Sequence, residues 1–89
     1  MVKVDLDKVK EIKLQELKNY IAILLSQTDY IITKIEEAKL LNQDIQPLLE
    51  KYAIQLQERQ RLRERYEELK QAIQNATTLE ELQSIVLEL

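Results

Sequence analysis

Leu17-Lys18-Asn19-Tyr20-Ile21-Ala22-Ile23-Leu24-Leu25-Ser26-Gln27-Thr28-Asp29-Tyr30-Ile31-Ile32-Thr33-Lys34-Ile35-Glu36-Glu37-Ala38 decides the fold. Leu17, Ile21, Leu24, Thr28, Ile31, Ile35 and Ala38 follow one another at alternating steps of four and three. That spacing is a heptad seam on one face of a helix. The seam keeps its phase through Ser26-Gln27-Thr28-Asp29, so the sequence predicts no break there. Leu25 and Ile32 stand one position beside it and widen the stripe, which then needs more cover than one narrow partner gives.

Working outward, the seam starts at Leu14, while Val9 and Ile12 are apolar but out of phase. Asp5 or Asp7 suits the N-terminal cap and the positive end of the helix dipole. One helix is therefore expected over about 6–41. Asn42-Gln43-Asp44-Ile45-Gln46-Pro47 is the strongest interruption. Asn42 can end the first helix, Asp44 can cap the next, and Pro47 is tolerated in a first turn that needs no N–H. With a loop over 42–46, the second helix is expected over about 46–75. Leu48 or Leu49, Tyr52, Leu56, Arg59, Leu62, Tyr66, Leu69, Ile73 and Ala76 lie on one side, with the phase ambiguous by one residue near Arg59. Thr78-Leu79-Glu80-Glu81 has capping-box spacing and opens a short amphipathic helix over about 78–88. The fold expected is all-α: one domain, a long antiparallel, coiled-coil-like helical hairpin plus a short C-terminal helix.

A turn near residue 44 pairs positions whose numbers sum to about 88. Ile35 then meets Ala53, Leu24 meets Leu62 and Tyr66, and Leu17 meets Leu69 and Ile73. The interface and core set is Leu17, Ile21, Leu24, Leu25, Ile31, Ile32, Ile35, Leu62, Tyr66, Leu69 and Ile73. Thr28 and Asp29 fall opposite Arg59 and Gln60 as a polar layer. Two readings stand: a solvent-screened surface contact worth well under ~1 kcal/mol, or a desolvated Asp29–Arg59 pair that fixes register.

Composition narrows the chemistry. The 89 residues are 45% hydrophobic and 33% charged, which allows a small folded domain. There is no glycine, no cysteine and no histidine. This removes the usual phosphate-cradling loop, the thiolate and the imidazole from consideration. Glu36-Glu37, Glu67-Glu68 and Glu80-Glu81 are adjacent on helices and point apart, so they are read as solvated faces. Ser26 and Ser84 have no histidine to activate them. No catalytic, cofactor or metal site is expected. Arg59, Arg61, Arg63 and Arg65 form one basic cluster, but Glu58, Glu64, Glu67 and Glu68 interleave it. Expected pairs are Arg63–Glu67, Arg61–Glu64 and Arg65–Glu68, and nucleic-acid binding is not the expected role. The four tyrosines are read as seam filler with wet hydroxyls, not as a ligand cage. No apolar run reaches spanning length, and MVKVDLDKVK lacks a signal-peptide core, so a cytoplasmic product is expected, without a membrane partner.

Leu25-Ser26-Gln27-Thr28-Asp29-Tyr30, continuing to Lys34-Ile35-Glu36-Glu37-Ala38, reads as LxxTDYxxxKIxEA. After the break come Leu48-Leu49-Glu50-Lys51-Tyr52 and then Glu58-Arg59-Gln60, within YxxxLxxRQxxR. Over roughly residues 17–68 this resembles small helical tail proteins of bacteriophages and prophages of the PBSX-like kind. Arg61-Leu62 stands where that pattern often has tryptophan, and Thr77–Leu89 has no counterpart in it. The resemblance implies a non-enzymatic role in tail assembly, other tail proteins as partners, and possible residence in the virion. It assigns Thr28, Asp29, Tyr30, Lys34, Ile35, Tyr52, Arg59 and Gln60 as structural or contact positions. The other expectation is a cytoplasmic coiled-coil adaptor or small chaperone that holds an amphipathic segment. Self-association is expected in either case, as a dimer forming a four-helix bundle or as a fibre-matched trimer. A two-helix contact is not expected to cover both the flank of Leu25 and Ile32 and the flank of Tyr20 and Leu41. The short third helix is expected to shield only the end near Leu14 and Leu17, out of reach of Ile32.

Overall fold

A computed structural model of the chain describes residues 5–89, and part of the N-terminal decapeptide read above lies outside that range. Helix α1 spans Leu6–Ser26, α2 Asp29–Leu40, α3 Gln46–Lys51, α4 Ala53–Asn75 and α5 Leu79–Ser84. The first two form one arm of an antiparallel hairpin, α3 and α4 form the other, and α5 closes the open end. The rod measures 64 × 18 × 17 Å.

Local chemistry sets the ends. The Asp5 carboxylate accepts from the Asp7 N–H. Asn42 has φ 57°, a left-handed conformation asparagine tolerates. The Gln43 N–H then reaches Ala38 O at 2.8 Å and the Asn42 N–H reaches Lys39 O at 3.1 Å, which completes a Schellman cap. Asp44 Oδ1 accepts from the Gln46 N–H at 3.0 Å, and Pro47 lies in the first turn of α3. Thr78 Oγ1 accepts from the Glu81 N–H as the capping box requires. The reciprocal half is shifted by one residue, because the Glu81 carboxylate takes the N–H and hydroxyl of Thr77.

The arms depart from the expected helices in two places. The first expected helix is divided at Gln27 and Thr28. Ser26 Oγ donates to Ile23 O at 2.6 Å and the Thr28 N–H closes a tight turn on Leu25 O at 3.1 Å. Short hydroxyl side chains that bond the preceding turn compete with the helical ladder. The heptad phase survives this break because the seam residues on both sides still face the second arm. The second expected helix is irregular at Tyr52, with φ −108° and ψ 19°. Its hydrogen-bond ladder nevertheless runs through, from the Tyr52 N–H to Leu48 O at 3.0 Å and from the Leu56 N–H to Tyr52 O at 2.9 Å.

Two apolar clusters hold the arms together. Leu17, Leu69, Ile73, Ala76 and Leu82 pack at the open end, and Leu17, Ile73 and Leu82 are fully buried there. Burying such a side chain stabilises the fold by about 1.5–3 kcal/mol. Ile31, Ile35 and Tyr52 pack near the loop. Ile35 thus meets Tyr52, and Ala53, its expected partner, is exposed. Among the expected core residues, Ile21 and Leu62 are also buried, while Leu24, Leu25, Ile32 and Tyr66 are half-buried.

The third helix is shorter than expected. It stops at Ser84, and Ile85 turns extended at ψ 113°. Lys13 Nζ donates to Leu82 O at 2.7 Å and Lys10 Nζ to Gln74 O at 3.0 Å, so cations of α1 satisfy carbonyls at the ends of α5 and α4. Arg65 Nε donates to Glu88 O at 3.2 Å and holds the tail against α4.

Candidate interaction surface

Between the two apolar clusters Arg59 enters the seam and is only 5% exposed. Its Nη1 donates to Leu25 O and to Thr28 Oγ1, both at 2.8 Å. In an unbroken helix the Leu25 carbonyl would take the Asp29 N–H. At the break it takes the guanidinium and the Thr28 N–H instead. Nη2 pairs with Asp29 Oδ1 at 3.1 Å, but the Asp29 side chain is 61% exposed. The layer is therefore one buried cation with a wet carboxylate, between the two arrangements expected. Arg59 Nε is buried without a partner. Gln60 does not join the layer. It is exposed and donates to Glu64 at 3.2 Å.

Beside this layer a groove of about 300 Å³ runs between the arms. Leu24, Leu62, Gln27, Ile54 and, from the tail, Leu89 line it. Arg61 and Glu58 edge it, bonded to each other through Arg61 Nε at 3.1 and 3.0 Å. This hydrogen bond, assisted by the guanidinium charge, holds the Glu58 carboxyl below its usual range and raises Arg61. Arg61 thus pairs with Glu58 and not with Glu64, whereas Arg65–Glu68 forms as expected at 3.0 Å.

Near the loop the Tyr30 and Tyr52 rings meet edge to face at 6.0 Å. Lys34 Nζ lies 5.6 Å from each ring centre and donates to the Tyr52 hydroxyl at 3.2 Å. That hydrogen bond, with the charges of Lys34 and Lys51, lowers the Tyr52 pKa from 10.0, and burial opposes it. The chain's own lysine occupies the space where a cationic ligand would sit.

The outer surface is apolar in places the seam does not use. Ile12 and Ile23 are each 60% exposed, Tyr30 50% and Leu41 68%. Tyr20, Leu40 and Ile54 are exposed as well. The sequence placed Leu25 and Ile32 on one flank and Tyr20 and Leu41 on the other, with cover expected for not more than one of them. Leu25 and Ile32 are half-buried and Tyr20 and Leu41 exposed. Sequence reading missed Ile54 and Leu89 as neighbours of Leu24, since the tail was expected to be helical. Among the described residues no group of three or more acidic side chains is placed to hold a metal ion. No helix there is long and apolar enough to cross a membrane. Comparison with protein-family models, curated proteins and solved structures found no match.

Proposed function

We propose that the chain is a non-enzymatic assembly element of a bacteriophage or prophage tail, acting through helix–helix contacts. The observation that supports this most is a helical rod whose large apolar side chains Ile12, Ile23, Tyr30 and Leu41 remain at the surface after its own core is filled. Large apolar side chains exposed along one arm are contact material. The resemblance over residues 17–68 gives the assembly in which such contacts belong. The Thr28, Asp29 and Arg59 positions it assigns lie together at the division of the first arm. Here their role is to hold that division, so the contacts with other tail proteins fall to the outer faces.

The adaptor or small-chaperone reading draws on one feature, the groove of Leu24, Ile54 and Leu62, which has the apolar character an amphipathic segment needs. Leu89 of the same chain forms part of its wall.

Mass spectrometry of particles and tail intermediates released by induction of the host strain tests the proposal. Peptides of this chain should co-sediment with tails or tail intermediates, and deleting its gene should leave tails incomplete. Normal tails from the deletion strain, with the chain absent from every intermediate, would overturn it.

A further inference from the structure

The first arm's own residues do not call for its division. No glycine or proline stands between Leu6 and Leu40, and the seam keeps its heptad phase across the gap. Gln27 is already helical, with φ −64° and ψ −23°. Only Thr28 departs, with φ −122° and ψ 8°. A turn of about 60° in φ and about 50° in ψ at that residue restores helical geometry. Leu25 O would then take the Asp29 N–H, and one ladder would run from α1 into α2. What prevents this comes from the other arm. Arg59 Nη1 already holds Leu25 O and Thr28 Oγ1, each at 2.8 Å. Asp29 is left as the first residue of α2, where an N–H has no acceptor in its own helix.

We propose that the first arm is a two-state element, latched in its divided state by the Arg59 guanidinium, and that release of the guanidinium joins α1 and α2 into one helix. The latch is opposed from within. Its Nε is buried without a partner, and the divided arm forgoes a ladder bond at Asp29. Release restores both: the guanidinium regains water beside the exposed Asp29 carboxylate, and the Asp29 N–H gains Leu25 O. Joining the helices does not unpack the hairpin, because the seam is in phase on both sides of the gap. Ile21 and Ile31, buried on either side of it, keep their seam positions in both states. One side chain of α4 therefore sets the backbone of the opposite arm, and whatever draws that side chain away shifts the arm toward the joined state.

Amide exchange and Cα chemical shifts, measured by NMR on the full chain, test this. In the native chain the Asp29 amide should exchange near the free-peptide rate, and the Thr28 Cα shift should lie outside the helical range. Arg59→Met keeps a long unbranched side chain but has no donor. It should move the Thr28 shift into the helical range and slow exchange at Asp29 roughly tenfold or more, while the Ile21 and Leu69 amides stay protected. Thr28→Ala keeps Arg59, removes one of its acceptors and favours helix, so it should slow Asp29 by about threefold. Asp29→Ala removes only the exposed carboxylate and should leave the amide at position 29 fast. The Arg59→Met result decides where that variant folds, and Thr28→Ala decides where it does not. A deciding variant with residue 28 still non-helical and exchange at Asp29 unchanged overturns the proposal. So does an Asp29 amide already protected in the native chain, or a slowing in Asp29→Ala as large as in Arg59→Met.

Discussion

Arg59→Ala and Asp29→Ala should differ sharply in cost, although they remove opposite ends of one ion pair. The Arg59 guanidinium is buried and makes two 2.8 Å bonds, to Leu25 O and Thr28 Oγ1, besides its 3.1 Å contact with Asp29. Hydrogen bonds from a charged donor contribute about 1.5–3 kcal/mol each. Against this stands the desolvation of the cation, made worse by a buried Nε without a partner. Truncation also leaves a cavity where the aliphatic stem packed. A net loss of about 2–4 kcal/mol follows for Arg59→Ala, the range for breaking a buried polar contact. Asp29 is 61% exposed on its side chain, so its share of the pair is screened to under ~1 kcal/mol. As a first-turn acid of α2 it adds ~0.3–1 kcal/mol through the helix dipole. Urea melts of both single variants and the double variant measure the terms separately, and the cycle cancels the dipole contribution. The coupling energy should fall below ~1 kcal/mol. Coupling of several kcal/mol would show that the carboxylate, not the Leu25 carbonyl and Thr28 hydroxyl, holds Arg59.

Ile35→Ala should cost roughly 2–5 kcal/mol in denaturant melts, because Ile35 packs in the Ile31–Tyr52 cluster, whereas a loss under ~0.5 kcal/mol would place it on the surface. Leu82→Ala should lose a similar ~2–5 kcal/mol, since Leu82 is fully buried against Leu17 and Ile73, and a neutral result would mean that α5 does not dock. Tyr52 should ionise below 10.0, read as the difference in tyrosinate absorbance between the chain and Tyr52→Phe, and Lys34→Met should move it back toward 10.0. A folded-state pKa below the unfolded value favours the phenolate in the fold, so this contribution is full above pH 10.0 and disappears as pH falls through the lowered value. A Tyr52 titration that Lys34→Met leaves unchanged would refute that assignment.

The hairpin was legible because its signals were local or periodic. Asn42 at φ 57°, Asp44 before Pro47, and Thr78 ahead of Glu81 each act within a few residues of themselves. The seam register was legible because apolar positions on both arms had to coincide, as Leu17 does with Leu69 and Ile73. The division at Gln27–Thr28 was hidden for a different reason. A heptad phase records which side chains face the partner, not whether every backbone bond between them is made. What stabilises the division is Arg59, 34 residues from Leu25, and no local pattern on the first arm reports it. The same holds for Tyr52. Its seam position was clear, but the irregular backbone there coincides with packing against Tyr30 and the hydrogen bond from Lys34 on the other arm.

The tail shows how backbone conformation controls which surface remains available. A helix advances about 1.5 Å per residue and an extended chain about 3.3 Å. Continued as a helix, the five residues after Ser84 would reach about 7.5 Å and stay near Leu17. Extended, they can reach about 16 Å, enough to carry Leu89 to the groove beside Leu24 and Leu62. Arg65 holds the Glu88 carbonyl there. The apolar alternation that suggested a longer helix is satisfied by this strand-like path as well, with Ile85, Leu87 and Leu89 half-buried and Val86 and Glu88 outward. Leu89 therefore covers part of the groove that an all-helical tail would have left open. It does not cover Ile23, Tyr30 or Leu41.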